Sequence, residues 1–173
     1  PGPRPGPNTD IIASAIRHEP FDRRGREPRP SSANPAGTAH QLNSPPQIIV
    51  MKFGGSSLAS AERLQAVTDL IVAALDRGIQ PVVAASAMGD TTDALVELAR
   101  GLSPRPGGRD YDLLLSTGEV VSCALLSISL NERGIPAQAV TGPGAGIVTD
   151  SRHGQARIET IDPRMLHQLL DRG

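Results

Sequence analysis

Two patterns of apolar residues alternate along the chain from residue 47 onward. Residues 47–53 and 81–86 are short apolar runs, and such runs predict buried β-strands. Residues 61–77 repeat apolar side chains at three- and four-residue intervals, and Ser60 stands before them at the N-cap position of a helix. This alternation of strand and helix predicts βαβ units on a largely parallel sheet.

The alternation continues toward the C-terminal end of the chain. Hydroxyl and acidic side chains precede a helix predicted over residues 91–102, and a long apolar helix predicted over residues 118–133 is expected to be sandwiched between two layers. A third strand over residues 137–141, a hairpin over residues 147–161 and a last helix that begins at Asp162-Pro163 complete the pattern. We therefore expect a three-layer α/β/α sandwich with a largely parallel sheet.

Residues 1–46 differ in composition from the remainder of the chain. They hold ten of the sixteen prolines and six arginines against four acidic residues, with only scattered apolar side chains. Such a segment buries too little apolar surface to offset the entropy lost on ordering. The sequence thus predicts a disordered arm rich in proline and arginine over residues 1–46, followed by one globular part over residues 47–173.

Charge and cysteine content narrow the function classes. The formal net charge is −1 with a pI near 6.5, which argues against nucleic acid as a partner. We expect no membrane segment, because no apolar stretch reaches the roughly 18 residues that a spanning helix needs. Cys123 is the single cysteine, and the four histidines lack metal-ligand spacing, so we expect no disulfide, no bound metal and a cytoplasmic location.

Lys52 is the only lysine of the chain and stands where the first apolar run ends in Phe53-Gly54-Gly55-Ser56. Glycines let backbone N–H groups approach an anion closely, the serine hydroxyl adds a donor, and the ammonium group adds a mobile point charge. This combination is typical of a phosphate site. The alternative is a solvated lysine beside an ordinary turn.

Further polar residues follow the second predicted strand, where Ser86 and Thr92 flank the loop to the next helix. Carboxyl ends of neighbouring parallel strands meet at one edge of a sheet, so these residues should lie near Lys52. Glu119 begins the most apolar helix, where a buried carboxylate needs a partner, and a substrate cation would supply one. The alternative is a carboxylate that caps the helix.

Several enzyme classes lack their signature in this sequence. No G-x-S-x-G nucleophile elbow is present, and His153 has no evident orienting acid. Neither the G-x-x-x-x-G-K-[ST] loop nor the G-x-G-x-x-G fingerprint occurs, which excludes the P-loop and dinucleotide-binding classes.

Five blocks of the globular part resemble, in order and spacing, the first half of an aspartate kinase of the amino-acid kinase superfamily. They are Lys52-Phe53-Gly54-Gly55-Ser56-Ser57, Ser86-Ala87-Met88-Gly89-Asp90-Thr91-Thr92-Asp93, Gly118-Glu119, Thr141-Gly142 and Asp150-Ser151-Arg152-His153-Gly154-Gln155-Ala156-Arg157. The second block distinguishes aspartate kinases from other members of the superfamily. The resemblance also implies that the kinase fold is incomplete at the C-terminal end of this chain.

The resemblance implies an activity and a role for each matched residue. It implies transfer of a phosphoryl group from ATP, with Mg²⁺ on the nucleotide, to the side-chain carboxylate of L-aspartate. Lys52, as the catalytic cation, would bind the ATP phosphates together with Phe53, Gly54, Gly55 and Ser56, whereas Ser86, Thr92 and Glu119 would bind the amino acid. It further implies a homo-oligomer in the intact enzyme and little activity for these 173 residues alone.

Two alternatives remain open at this point. One is a non-catalytic remnant that associates with an intact kinase chain through an exposed sheet edge. The other is a kinase of the same superfamily that phosphorylates another small amino acid.

Overall fold

The computed structural model describes residues 46–172. The prediction of a disordered arm therefore falls almost entirely outside the described residues. In chain order the elements are β1 (Gln47–Phe53), α1 (Ala61–Leu75), β2 (Ile79–Ala85), α2 (Thr91–Leu102), α3 (Arg109–Glu132), β3 (Ile147–Thr149), β4 (Ile158–Ile161) and α4 (Arg164–Leu170). Two short 3-10 turns, Gly55–Leu58 and Pro143–Ala145, lie between them.

Strands β1 and β2 pair in parallel, with Lys52 opposite Ala84. Parallel pairing requires a crossover connection, and α1 supplies it because its apolar residues recur on one side of the helix. The expected α/β architecture with a parallel sheet is thus confirmed. Strand β2 begins two residues earlier than predicted, at Ile79, so Pro81 is its third residue and not its first.

The core lies on one face of this strand pair. Phe53 of β1, Leu64 and Ile71 of α1, and Leu126 and Leu130 of α3 are buried together there. The opposite face carries Ile48 and Val50, which are 41% and 73% exposed. Within residues 46–172, one helical layer therefore covers one face of the sheet.

Helix α1 begins as the sequence predicts. The hydroxyl of Ser60 accepts a hydrogen bond from the backbone N–H of Arg63 at 3.3 Å, which satisfies one of the free donors in the first turn. Inside the helix, Thr68 is fully buried, and its hydroxyl donates to the Leu64 carbonyl oxygen at 2.8 Å. A buried hydroxyl is tolerated here because that hydrogen bond satisfies it.

Helix α3 begins at Arg109, nine residues before the predicted start at residue 118. The prediction also placed it between two layers, and this is wrong for the described residues. Only a narrow stripe of α3 is buried, at Gly118, Ser122, Leu126 and Leu130. The outer side of α3 is exposed, with Val121 at 49% and Ile128 at 63%.

The apolar character of α3 corrects one further expectation. By length and composition alone, this 24-residue helix is long and apolar enough to cross a membrane. The sequence was expected to contain no such stretch. Core helices of soluble proteins meet the same criterion, and α3 packs against α1 and β2 through its buried stripe.

The C-terminal region contains the predicted hairpin, because β3 and β4 pair antiparallel. The last helix also follows Asp162-Pro163 as expected. Residues 137–141, however, are not a strand. The side chain of Asn131 takes the place of a strand partner: its Nδ2 donates to the Ala137 carbonyl oxygen at 2.9 Å, and its Oδ1 accepts from the Ala137 N–H at 3.1 Å.

Candidate functional site

Two backbone hydrogen bonds join the loops that leave β1 and β2. The N–H of Ser86 donates to the Phe53 carbonyl oxygen at 3.0 Å, and the N–H of Gly89 donates to the Gly55 carbonyl oxygen at 3.0 Å. Because the strands are parallel, both loops leave the same edge of the sheet. Two of the predicted segments, around Lys52 and around Ser86, are therefore adjacent.

Ala87 is the point of closest approach in this region. A Cβ on Gly55 would lie 2.7 Å from the Ala87 carbonyl oxygen, and a Cβ on Gly118 would lie 2.8 Å from the Ala87 Cβ. Real Cβ atoms essentially never come this close, so each position requires glycine. Gly118 thus lets α3 pack directly against the loop after β2, and Gly55 lets the two loops touch.

Glu119 is placed next to Ala87 by this close packing. Its Oε1 accepts a hydrogen bond from the Ala87 N–H at 3.3 Å. Glu119 is exposed and lies in the middle of α3, which corrects the expectation of a buried carboxylate at the start of the helix. Its second carboxylate oxygen has no hydrogen-bond partner among the described residues.

Lys52 lies near the end of β1, and its side chain is exposed. No acidic group within residues 46–172 forms an ion pair with it. An unpaired ammonium group beside glycine-rich backbone provides positive charge that an anion can use. Thr92 is half-buried in the first turn of α2, directly after the loop that carries Gly89.

The loop after β1 has an additional support that the sequence did not reveal. Nη1 of Arg63 donates to the Ser56 carbonyl oxygen at 2.7 Å. Together with Ala59, Gly89 and Asp90, these two residues line an open depression of about 390 Å³. Arg63 was missed because its position in the helical repeat is that of an ordinary exposed residue.

The hairpin contributes a second contact that was not expected. Oδ2 of Asp112, in the first turn of α3, accepts the Gly154 N–H at 2.9 Å and lies 3.2 Å from Nδ1 of His153. Within the hairpin, the pKa of Asp150 is lowered by hydrogen bonds, chiefly from the Arg152 side chain and then from the Arg157 backbone. The sequence indicated the hairpin only through the block Asp150 to Arg157. It did not reveal the contact with Asp112 of α3, because Asp112 is distant in sequence.

The fold and this cluster define an α/β protein whose polar, glycine-rich loops meet at the carboxyl ends of parallel strands. The model of the amino acid kinase family matches residues 47–173. The chain belongs to that family.

Curated relatives agree with this assignment. The chain is 50% identical to the aspartokinase of Geobacillus stearothermophilus over 126 residues, which cover 73% of this chain and 31% of the relative. It is 46% identical to aspartokinase 2 of Bacillus subtilis (strain 168), again over 126 residues, with the same two shares of 73% and 31%. The chain therefore spans about a third of the length of these relatives.

A solved structure shows the same fold. The crystal structure of aspartate kinase from Synechocystis superposes with a TM-score of 0.64 at 47% sequence identity. The match covers 72% of this chain and 20% of that chain.

Proposed function

We propose that this chain forms the phosphate-binding and amino-acid-binding part of an aspartate kinase. This enzyme transfers the γ-phosphoryl group of ATP to the side-chain carboxylate of L-aspartate, the first step toward lysine, threonine and methionine. The observation that supports the proposal most directly is the backbone contact between the loops after β1 and β2, which brings Lys52 beside the Ser86 loop. The similarity to aspartokinases supports the choice of substrate.

In this proposal, Lys52 and the backbone of Gly54 and Gly55 hold the ATP phosphates, with Phe53 and Ser56 in the same loop. One oxygen of the aspartate side chain attacks the γ-phosphorus, and the bond to the bridging oxygen of ADP breaks. The attacking carboxylate is already ionised, so the reaction needs no general base. Catalysis then consists of positioning and of neutralising charge, and Lys52 provides a cation for that purpose.

The amino acid is held from the other side of the loop contact. Ser86 and Thr92 supply hydroxyl groups, and Glu119 supplies a carboxylate for the α-ammonium group of aspartate. One oxygen of Glu119 is engaged with the Ala87 N–H. The other oxygen is available to the substrate, so the same side chain holds the loop and binds the α-ammonium group.

Mg²⁺ enters the proposal only with the nucleotide. Among the described residues, no group of three or more His, Cys, Asp or Glu side chains could hold a metal ion. The ATP donor and the unpaired thiol of Cys123 both favour a cytoplasmic enzyme, and we expect a homo-oligomer.

The experiment is a chimera in which residues 47–173 replace the matching segment of the Geobacillus stearothermophilus aspartokinase. We expect ATP-dependent formation of aspartyl hydroxamate by the chimera, and Lys52→Met should lower kcat by about 10²-fold or more because it removes a charge that stabilises the transition state. Arg77→Met is the matched control, because Arg77 is an exposed cation just after α1, away from the site. Among residues 46–172 its side chain donates only to the Ala73 carbonyl oxygen of α1.

Two results would contradict the proposal. One is a chimera that keeps its full kcat after Lys52→Met. The other is a chimera that phosphorylates another small amino acid in preference to aspartate. The 173-residue chain alone should form little or no hydroxamate.

A further inference from the structure

Two peptide planes in the loop after β1 are fixed by backbone hydrogen bonds. The carbonyl oxygen of Gly54 accepts the Ser57 N–H, and that of Gly55 accepts the Gly89 N–H, both at 3.0 Å. In a trans peptide plane, the N–H of the following residue points opposite to the carbonyl group. The N–H groups of Gly55 and Ser56 therefore point away from these contacts, and neither has an acceptor among residues 46–172.

A third peptide plane of the same loop is held by a side chain. Nη1 of Arg63 donates to the Ser56 carbonyl oxygen at 2.7 Å, a short bond of the kind that a charged donor forms. The same plane carries the N–H of Ser57, which is the donor to the Gly54 carbonyl oxygen. Arg63 thus acts on the Gly55 N–H through two successive peptide planes, although it does not contact Gly55 itself.

The backbone of Arg63 is fixed by the start of α1. Its N–H donates to the Ser60 hydroxyl at 3.3 Å, and the N–H of Leu64 donates to the Ser60 carbonyl oxygen at 2.9 Å. From this first turn the guanidinium group extends back seven residues to Ser56. The helix end therefore provides a rigid base from which one side chain orients the loop.

The charge of Arg63 is not neutralised by an acidic partner within residues 46–172. Asp90 lines the same depression, yet it forms no ion pair with Arg63. Arg133 behaves differently, because its Nη1 lies 2.6 Å from Oδ1 of Asp69 and joins α3 to α1. Arg63 therefore lacks the acidic partner of an arginine that holds two helices together, and its contact is with the loop.

We propose that Arg63 is a positioning residue for the nucleotide phosphates. The inference rests on the proposed function, in which the loop backbone binds ATP. By holding the Ser56 carbonyl group, Arg63 keeps the N–H groups of Gly55 and Ser56 directed at the phosphates before ATP arrives. Backbone dipoles that are oriented in advance need no reorganisation when charge develops during phosphoryl transfer.

The test measures the kinetics of the chimera described above, with ATP and aspartate varied in turn. We expect Arg63→Met to raise KM for ATP by about tenfold, because a hydrogen bond from a charged donor no longer orders the loop. KM for aspartate should stay unchanged, since the amino acid is bound by other residues. Arg63→Lys keeps a charged donor and should recover most of the affinity for ATP.

Arg133→Met is the matched control. It removes an arginine that bonds to Asp69 and Gln65 of α1, so it should lower the free energy of unfolding and leave both KM values unchanged. A loss of stability alone is thereby separated from a loss of loop orientation. Should Arg63→Met prevent folding, Arg63→Gln takes its place, because it keeps a polar group of shorter reach.

Amide hydrogen exchange tests the same contact without enzyme activity. Exchange at Ser57, taken relative to the buried Val67, should accelerate in Arg63→Met and not in Arg133→Met. In the unsubstituted chimera, ATP should slow exchange at Gly55, and Arg63→Met should weaken that protection.

Three outcomes would overturn the inference. The first is an Arg63→Met chimera whose KM for ATP is unchanged, or rises together with KM for aspartate. The second is exchange at Ser57 that does not respond to Arg63→Met. The third is an Arg63→Lys chimera that binds ATP no better than Arg63→Met. In each of these the defect of Lys52→Met would persist, whereas a failure of the proposed function would abolish that defect.

Discussion

Gly118 of α3 and Ala87 of the loop after β2 are packed so closely that no side chain fits between them. A Cβ on Gly118 would lie 2.8 Å from the Cβ of Ala87. Neither group can rotate away, because a Cβ is fixed to the backbone. The distance between α3 and the candidate site is therefore set by the absence of one methyl group.

Replacement of Gly118 by alanine should move α3 away from the loop. We expect Gly118→Ala to lower the free energy of unfolding by about 1–3 kcal/mol, as overpacked cores do. Chemical denaturation of the isolated chain measures this. Gly101→Ala is the control: nothing lies within 4 Å of its Cβ position, and the same change in α2 should be neutral or stabilising by up to about 1 kcal/mol. Equal effects of the two variants would contradict the packing argument.

Glu119 offers a way to separate loop support from substrate binding. Glu119→Gln keeps an oxygen that can accept the Ala87 N–H but removes the negative charge. In the chimera we expect KM for aspartate to rise by about tenfold, because hydrogen bonds to charged groups contribute more than neutral ones. The free energy of unfolding should not change. An unchanged KM would show that the carboxylate only supports the loop, and Glu119→Ala should affect both quantities.

Asn131 should stabilise the segment that follows α3. Asn131→Ala removes two hydrogen bonds to Ala137, of 2.9 Å and 3.1 Å, while the Ser127 hydroxyl still donates to the same carbonyl oxygen. We expect the free energy of unfolding to fall by about 1–2 kcal/mol, and amide exchange at Ala137 to accelerate. Gln138→Ala removes another amide from an exposed position and serves as the control. Similar losses for the two variants would refute a specific role of Asn131.

The pair of Asp162 and Arg164 predicts a pH dependence at the start of α4. Hydrogen bonds from the Arg164 side chain, followed by one from its backbone, lower the pKa of Asp162 from 3.8 to about 2. A lowered pKa in the folded state stabilises the protein above pH 3.8, and this contribution disappears as the pH falls through about 2. Both side chains are exposed, so the contribution should be small and should decrease with salt.

NMR titration of the Asp162 carboxyl carbon tests this directly. Arg164→Ala should return its pKa toward 3.8 and remove the corresponding slope in stability below that pH. Arg172→Ala, at an exposed position beyond α4, should leave the titration unchanged. A pKa of Asp162 that does not respond to Arg164→Ala would contradict the assigned cause.

Local sequence signals were sufficient for the elements that build the site. The apolar run over Gln47–Phe53 ends at two glycines, and the structure places β1 at those bounds. Thr91–Leu102 likewise forms a helix over the predicted residues. In both elements the apolar pattern and the residues at its ends indicate the same bounds, so tertiary contacts are not needed to define the element.

The errors occurred where a distant partner decides the structure. Arg109 begins α3 directly after a stretch rich in proline and glycine, so Gly118, the predicted first residue, lies inside the helix. Residues 137–141 have the composition of a strand, but a strand also needs a neighbour. Glu119 was expected to be buried because its helix is apolar, yet it lies next to the narrow buried stripe of α3 and is exposed while it bonds to the Ala87 N–H.

Pro81 has a consequence for how the sheet can grow. The Ser86 N–H, just after β2, donates to β1, and backbone groups alternate in direction along a strand. The backbone of Pro81, the third residue of β2, therefore faces away from β1, at an edge with no partner strand among residues 46–172, and it has no N–H to donate there. A strand from another molecule that pairs with this edge lacks one backbone hydrogen bond at Pro81, which makes β2 a poor template for aggregation. A segment that pairs along the whole of β2 must do so without a hydrogen bond from Pro81.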